Sequence, residues 1–295
     1  MLKTRIITAT VLLAGLLLAL FFLPPLPWAG FCSLICALAA WEWGALAGFG
    51  SKLRVVYGIA LGCLCLYLLL LASDYFSQPG FQVFGSVFFS VTWFAIGIFW
   101  LLIVPFWLRH KWLLNSRPWC AALIGIIVLV PPMFVFFMLR YSTGPWGVLA
   151  VCALVWVADI AAYFSGRAFG GKKLAPSISP GKTWAGAIGG MVGVLLYCNA
   201  VFVSLFSFGW YAAKGVSTWW ALLILQFLFM SLATLSIVGD LFESLLKRQA
   251  GMKDSSNLLP GHGGVLDRVD SLVSTLGFIG FISEVHWFFL FYFFS

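Results

Sequence analysis

Residues 219–241 read WWALLILQFLFMSLATLSIVGDL, residues 242–271 read FESLLKRQAGMKDSSNLLPGHGGVLDRVDS, and residues 272–294 read LVSTLGFIGFISEVHWFFLFYFF. Two apolar runs of membrane-spanning length flank the longest polar stretch of the chain. About 20 mostly apolar residues suffice to cross a bilayer as a helix. The runs are continuous rather than alternating, which excludes a membrane barrel.

The same pattern recurs outward from this segment. Nine spans are predicted: Ile6–Leu23, Trp28–Phe49, Val55–Ala72, Phe81–Leu108, Trp119–Leu139, Trp146–Phe164, Trp184–Phe208, Trp219–Leu241 and Leu272–Phe294. The fourth is long enough to be one tilted helix or a helix plus a re-entrant piece, with Gly85, Gly97 and Pro105 as candidate breaks. Composition agrees: of 295 residues, 63% are hydrophobic and 9% charged, with a mean hydropathy of +1.06. A soluble domain is about 25% charged, so a water-soluble enzyme, a disordered chain and a disulfide-stapled mini-protein are all excluded. The expected fold is all-α, a polytopic integral membrane helical bundle. Residues 1–145 would form five N-terminal spans, and residues 146–295 a C-terminal catalytic region with two polar cytosolic loops, 165–183 and 240–271. The first span follows Lys3 and Arg5, as a signal peptide would. Its apolar run is longer than a signal h-region, however, and it reads as a retained helix.

Basic residues orient the bundle. With the N-terminus in the cytoplasm, 15 of the 17 Lys and Arg residues fall on the inner side, and only Arg140 and Lys214 fall outside. The C-terminus is then external. The net charge of +8 is chiefly a topology signal, with attraction to anionic lipid and nucleotide phosphates as its second reading. The seven cysteines lie in or beside apolar runs and form no CxxC pair, so they read as small hydrophobes.

Asp240, Glu243, Ser244 and Lys247 share one face if the eighth helix continues through them, and Asp267 and Asp270 stand one turn apart at the mouth of the ninth. Carboxylates crowded at one depth repel one another, and Mg²⁺ would relieve that. The competing reading is a solvated, self-paired charge run. Pro260-Gly261-His262-Gly263-Gly264 exposes main-chain N–H groups suited to phosphate. His262 is open to roles as metal ligand, acid/base group or structural donor. Pro176–Thr183 nearly spells a P-loop, but Pro176 replaces the first glycine and no strand is predicted before it. Lys172, Lys173 and Lys182 remain candidate phosphate holders or inner-side anchors. Asp159, with Tyr163 and Arg167 one and two turns on, is a carboxylate kept at membrane depth, facing either a site or a helix–helix contact. Glu42 and Glu284 are deeper, as relay groups or capped structural polars. Gly186, Gly189, Gly190 and Gly193 indicate close helix packing.

Ser244–Asp270 resembles the signature of the phosphatidate cytidylyltransferases, or CDP-diacylglycerol synthases. Ser244, Lys247, Arg248, Lys253, Asp254, His262, Gly263, Gly264, Asp267, Arg268 and Asp270 match it. Asp159–Gly186, with Gly166-Arg167, Lys173-Leu174, Ser179-Pro180 and Lys182-Thr183-Trp184, is similar to a second block of that family. Ala39-Ala40-Trp41-Glu42-Trp43 looks like its bacterial members. The resemblance implies transfer of the cytidylyl group of CTP to phosphatidate, giving CDP-diacylglycerol and pyrophosphate. It also implies Mg²⁺ held by Asp240 and Asp267, a monovalent cation such as K⁺ beside it, and a homodimer in a bacterial cytoplasmic (inner) membrane. Catalytic residues are then Asp240, Asp267, Lys247, Arg248, His262 and Arg268. Substrate-binding residues are Asp159, Arg167, Lys172, Lys173, Ser179, Lys182, Thr183, Ser244, Lys253, Asp254, Gly263, Gly264 and Asp270. No nucleic-acid partner is expected. Two other readings stay open: a transferase for an isoprenoid lipid phosphate, and an ion-coupled transporter using Glu42, Asp159 and Glu284.

Overall fold

A computed structural model describes residues 2–75, 82–114, 117–207 and 218–294, with side chains for 3–72, 90–114, 117–204 and 219–284. Phe81, Lys214 and the side chain of His286 lie outside the described residues. The chain runs as α1 (Leu2–Phe22), α2 (Pro25–Leu46), α3 (Ser51–Tyr75), α4 (Gln82–Ile98), a π-turn (Phe99–Ile103), α5 (Val104–His110) and α6 (Pro118–Phe169). A hairpin of β1 (Lys173–Ala175) and β2 (Ser179–Thr183) follows, then α7 (Trp184–Ser207), α8 (Thr218–Gln249) and α9 (Leu266–Phe294). It is a polytopic helical membrane protein.

Among the described residues, seven helices are long and apolar enough to span a bilayer, against the nine spans expected. Part of the difference lies in α6. As a straight rod its 52 residues would reach about 78 Å, more than twice a bilayer core. Gly144 breaks it at φ 72°, a backbone conformation that a side chain disfavours, just ahead of Pro145. The break falls between the predicted fifth and sixth spans. The predicted fourth span has no re-entrant piece over its described residues. The π-turn carries α4 directly into α5, and Val104 N–H donates to Phe99 O across the wider turn. That widening stands just before Pro105, which has no N–H to donate.

Two further expectations need correcting. The 165–183 loop is not a loop throughout: α6 continues to Phe169, and the antiparallel hairpin fills most of the rest. A short strand does therefore precede the P-loop-like segment. It pairs back on β2 instead of leading into a nucleotide-binding helix, so the P-loop exclusion stands on topology. The hairpin is also the one departure from an all-α fold among the described strands.

Small residues set the helix contacts. α7 lies against the second half of α6, where a Cβ on Gly190 would sit 3.0 Å from Ala158 O and one on Gly186 2.9 Å from Ala162 O. This is the close packing expected of the glycine stripe. α8 and α9 meet through Gly239 and Ser274, whose Oγ donates to Leu235 O at 2.8 Å. α2 and α3 are tied to the start of α6 by Trp43 Nε1–H to Ala121 O (2.9 Å) and Tyr57 OH to Ala122 O (2.7 Å). The cysteines are unpaired thiols.

Candidate active site

α8 continues to Gln249, so Asp240, Glu243, Ser244 and Lys247 do lie on consecutive turns of one helix. Lys247 Nζ sits 2.7 Å from Glu243 Oε2 and 2.6 Å from Asp267 Oδ1, joining α8 to the mouth of α9. Glu243 is buried, with Lys247 as its ion partner. Asp240 Oδ2 pairs with Lys182 Nζ of β2 at 2.5 Å, and Ser244 Oγ donates to Asp240 Oδ1 at 3.2 Å. Asp159 feels the charges of Asp240, Lys182 and Arg268. The two polar segments singled out in the sequence thus meet at one place, on α6, the hairpin, α8 and α9.

The signature loop is wrapped around two carboxylates. Asp267 Oδ2 accepts from Ser255 N–H (2.8 Å) and Gly264 N–H (2.7 Å). Glu42, wholly buried on α2, accepts from Val265 N–H (2.9 Å), Leu266 N–H (2.6 Å) and Ser256 Oγ (2.6 Å). The single proton of Ser255 Oγ is shared between Glu42 Oε2 (3.0 Å) and Asp267 Oδ2 (2.9 Å). Glu42 thereby satisfies the first N–H groups of α9, which have no acceptor within their own helix. The glycines are sterically required. A Cβ on Gly263, at φ 82°, would come within 2.5 Å of Asp267 Oδ2, and one on Gly264 would strike Ser255 and the Glu42 carboxylate.

Electrostatics at the mouth of α9 split the two aspartates. Burial opposes ionisation of Asp267, but the hydrogen bond and charge of Lys247 and the N–H groups of Gly264 and Ser255 outweigh it and hold the carboxyl below its ordinary range. Asp270, half-buried and facing Asp240, is pushed up to about 7, first by desolvation and then by that neighbouring charge. Five carboxyl groups (Asp159, Asp240, Glu243, Asp267 and Asp270) and three cations, Lys182, Lys247 and Arg268, share this region. The hard-oxygen donor set suits a divalent cation. No three acidic, imidazole or thiol groups converge into a complete cage among the described residues. Mg²⁺ commonly takes one or two carboxylates and completes its shell with water and substrate phosphate, so the residues present fit it.

Other expected site residues have more local settings. Thr183 Oγ1 accepts from Gly186 N–H at 3.0 Å and caps α7. Arg167 donates to Tyr163 OH, and Arg248 reaches Met252 O. Lys172 and Lys173 are exposed and form no ion pair with a described carboxylate. Ser179 begins β2 opposite Ala175. His262 holds the turn through its N–H to Leu259 O (2.9 Å), while its Nδ1 is buried without a partner. Lys253 and Asp254 face a groove beside Arg54. Glu243, Ser255 and Ser256 were not among the expected site residues. Glu243 was visible on the helical face, but nothing in the sequence pairs Glu42 with a loop more than 200 residues away. Glu284 accepts a short hydrogen bond from Ser90 inside the bundle.

Residues 3–286 match the model of the cytidylyltransferase family. A phosphatidate cytidylyltransferase of Pseudomonas aeruginosa is 40% identical over 279 residues, covering 94% of each chain. One of Haemophilus influenzae is 34% identical, over 95% of this chain and 98% of its own. One of Brucella suis is 37% identical, over 92% and 90%. A match over nearly the whole length means that this chain belongs to the cytidylyltransferase family.

Proposed function

We propose that this protein is a phosphatidate cytidylyltransferase, joining CTP and phosphatidate into CDP-diacylglycerol and pyrophosphate for phospholipid synthesis. The observation that carries the reading is the Lys182–Asp240 ion pair, which draws the hairpin and the signature helix into one charged site shared with α6 and α9. A phosphate monoester and a nucleoside triphosphate repel each other, and such a site must supply positive charge to both. An oxygen of the lipid phosphate attacks the α-phosphorus, the bond from that phosphorus to the bridging oxygen breaks, and pyrophosphate leaves with the electron pair. The nucleophile is already ionised, so no general base is needed.

Lys182 and Arg268 are the accessible cations and hold phosphate oxygens in line. Lys247, engaged by two carboxylates, positions Asp267 and the loop. His262 contacts phosphate or the leaving group. Mg²⁺, with or without K⁺, would be held by Asp240 and Asp267 and would supply charge against the triphosphate. The bundle lies in a bacterial inner membrane as a homodimer of nine-span subunits, with the N-terminus inside and the site at the cytosolic surface, where a soluble nucleotide meets a leaflet lipid. Purified protein given CTP, phosphatidate and Mg²⁺ should release pyrophosphate. Release with a polyprenyl phosphate but not with phosphatidate would favour the isoprenoid reading instead.

A further inference from the structure

A groove of about 450 Å³ opens where the end of α2 and the start of α3 face the signature loop. Its lining includes Trp41 and Arg54 from the helices and Lys253, Asp254, Ser256 and Asn257 from the loop. That volume lies within the range of small-molecule sites. Arg54 is held in place from behind: its Nε–H donates to Trp41 O at 3.3 Å, and its guanidinium carbon lies 4.4 Å from the centre of the Trp41 ring. Neither Arg54 nor Lys253 makes an ion pair with a described carboxylate. Two cations, one of them pre-oriented, therefore face the same space as a single carboxylate, Asp254, and the lining carries net positive charge. The groove also adjoins the reacting centre, because Ser255 lines it and donates its backbone N–H to Asp267.

We infer that this groove is a phosphate-binding subsite that takes the nucleotide, with Arg54 as its main anion contact. This inference rests on the function proposed above. The ligand class is a nucleoside polyphosphate: Arg54 and Lys253 supply cations for phosphate and the Trp41 ring an apolar face, and the loop that forms the groove already carries donors of the reaction centre. A lipid phosphate offers the same anion chemistry, and separate KM values for CTP and phosphatidate distinguish the two. Arginine suits the task because its planar fork binds phosphate oxygens in pairs. The first half of the chain then contributes directly to substrate binding.

The test uses full-length purified protein with Arg54→Gln, Arg54→Lys and Lys253→Gln. Losing a charge-assisted contact should raise KM for CTP about tenfold or more in Arg54→Gln. Arg54→Lys should recover part of the loss, and Lys253→Gln should move in the same direction. KM for phosphatidate should change little. Equilibrium binding of CTP without lipid should weaken by a similar factor, and that measurement tests the groove even if the unsubstituted protein releases no pyrophosphate, an outcome that would count only against the proposed function. A rise in KM for phosphatidate with CTP unaffected would assign the groove to the lipid headgroup and overturn the inference. Unchanged CTP binding in both Arg54→Gln and Lys253→Gln would overturn it as well.

Discussion

Replacing Glu42 by Gln should disable the site from a distance. Each Glu42 oxygen faces two donors: Val265 N–H and Ser256 Oγ at Oε1, and Leu266 N–H and Ser255 Oγ at Oε2. A glutamine keeps the shape but turns one oxygen into an NH₂ group. The serine on that side can rotate to accept, whereas the backbone N–H cannot and is left orphaned. An orphaned buried donor costs about 1–3 kcal/mol. Loss of the negative charge at the start of α9 adds about 0.3–2 kcal/mol. At about 1.4 kcal/mol per tenfold change, even the middle of that range shifts the loop equilibrium by an order of magnitude or more. We expect Glu42→Gln to insert normally, to lose at least about tenfold in pyrophosphate release per unit of protein, and to become protease-sensitive between residues 250 and 264. Glu42→Leu, which orphans both N–H groups, should be worse. Near wild-type activity and protease resistance in Glu42→Gln would refute the idea that this carboxylate holds the loop.

Asp267→Asn should lower the rate on the order of 10²-fold and change the Mg²⁺ dependence; an unaltered rate and Mg²⁺ response would remove Asp267 from the metal. CTP or dCTP should serve as donor and ATP poorly, so equal turnover with ATP in the pyrophosphate assay would contradict the nucleotide assignment. A reporter fused after Ser295 should be active only if it works on the exported side, and cytoplasmic activity there would show that the span count is off by one.

Much of the architecture was legible because lipid imposes a simple rule: apolar length reads directly as a span. The glycines of α7 and the carboxylate spacing on α8 were legible for the same reason, since helical periodicity converts sequence distance into geometry. What the sequence could not convey depends on pairing between distant segments. Glu42 looked like either a relay group or a structural polar, and only its four donors distinguish the two. Arg54 entered the sequence reading only as one of the 15 inner-side basic residues; its stacking on Trp41 is a tertiary fact. Thr183, a candidate substrate contact, also caps α7, and its place just ahead of Trp184 is where a cap residue stands. The hairpin was missed because two such short strands carry no periodic signal.

The bond between Glu42 and the signature loop spans 213 residues or more of chain. During synthesis, the carboxylate enters the membrane with the second helix and stays without its partners until nearly the whole polypeptide has emerged. The loop, in turn, has no finished shape until it meets a helix inserted long before. An interrupted translation product can therefore carry most of the spans and still be inert toward nucleotide. Competence arrives in a single late step, when the two ends of the chain close on each other.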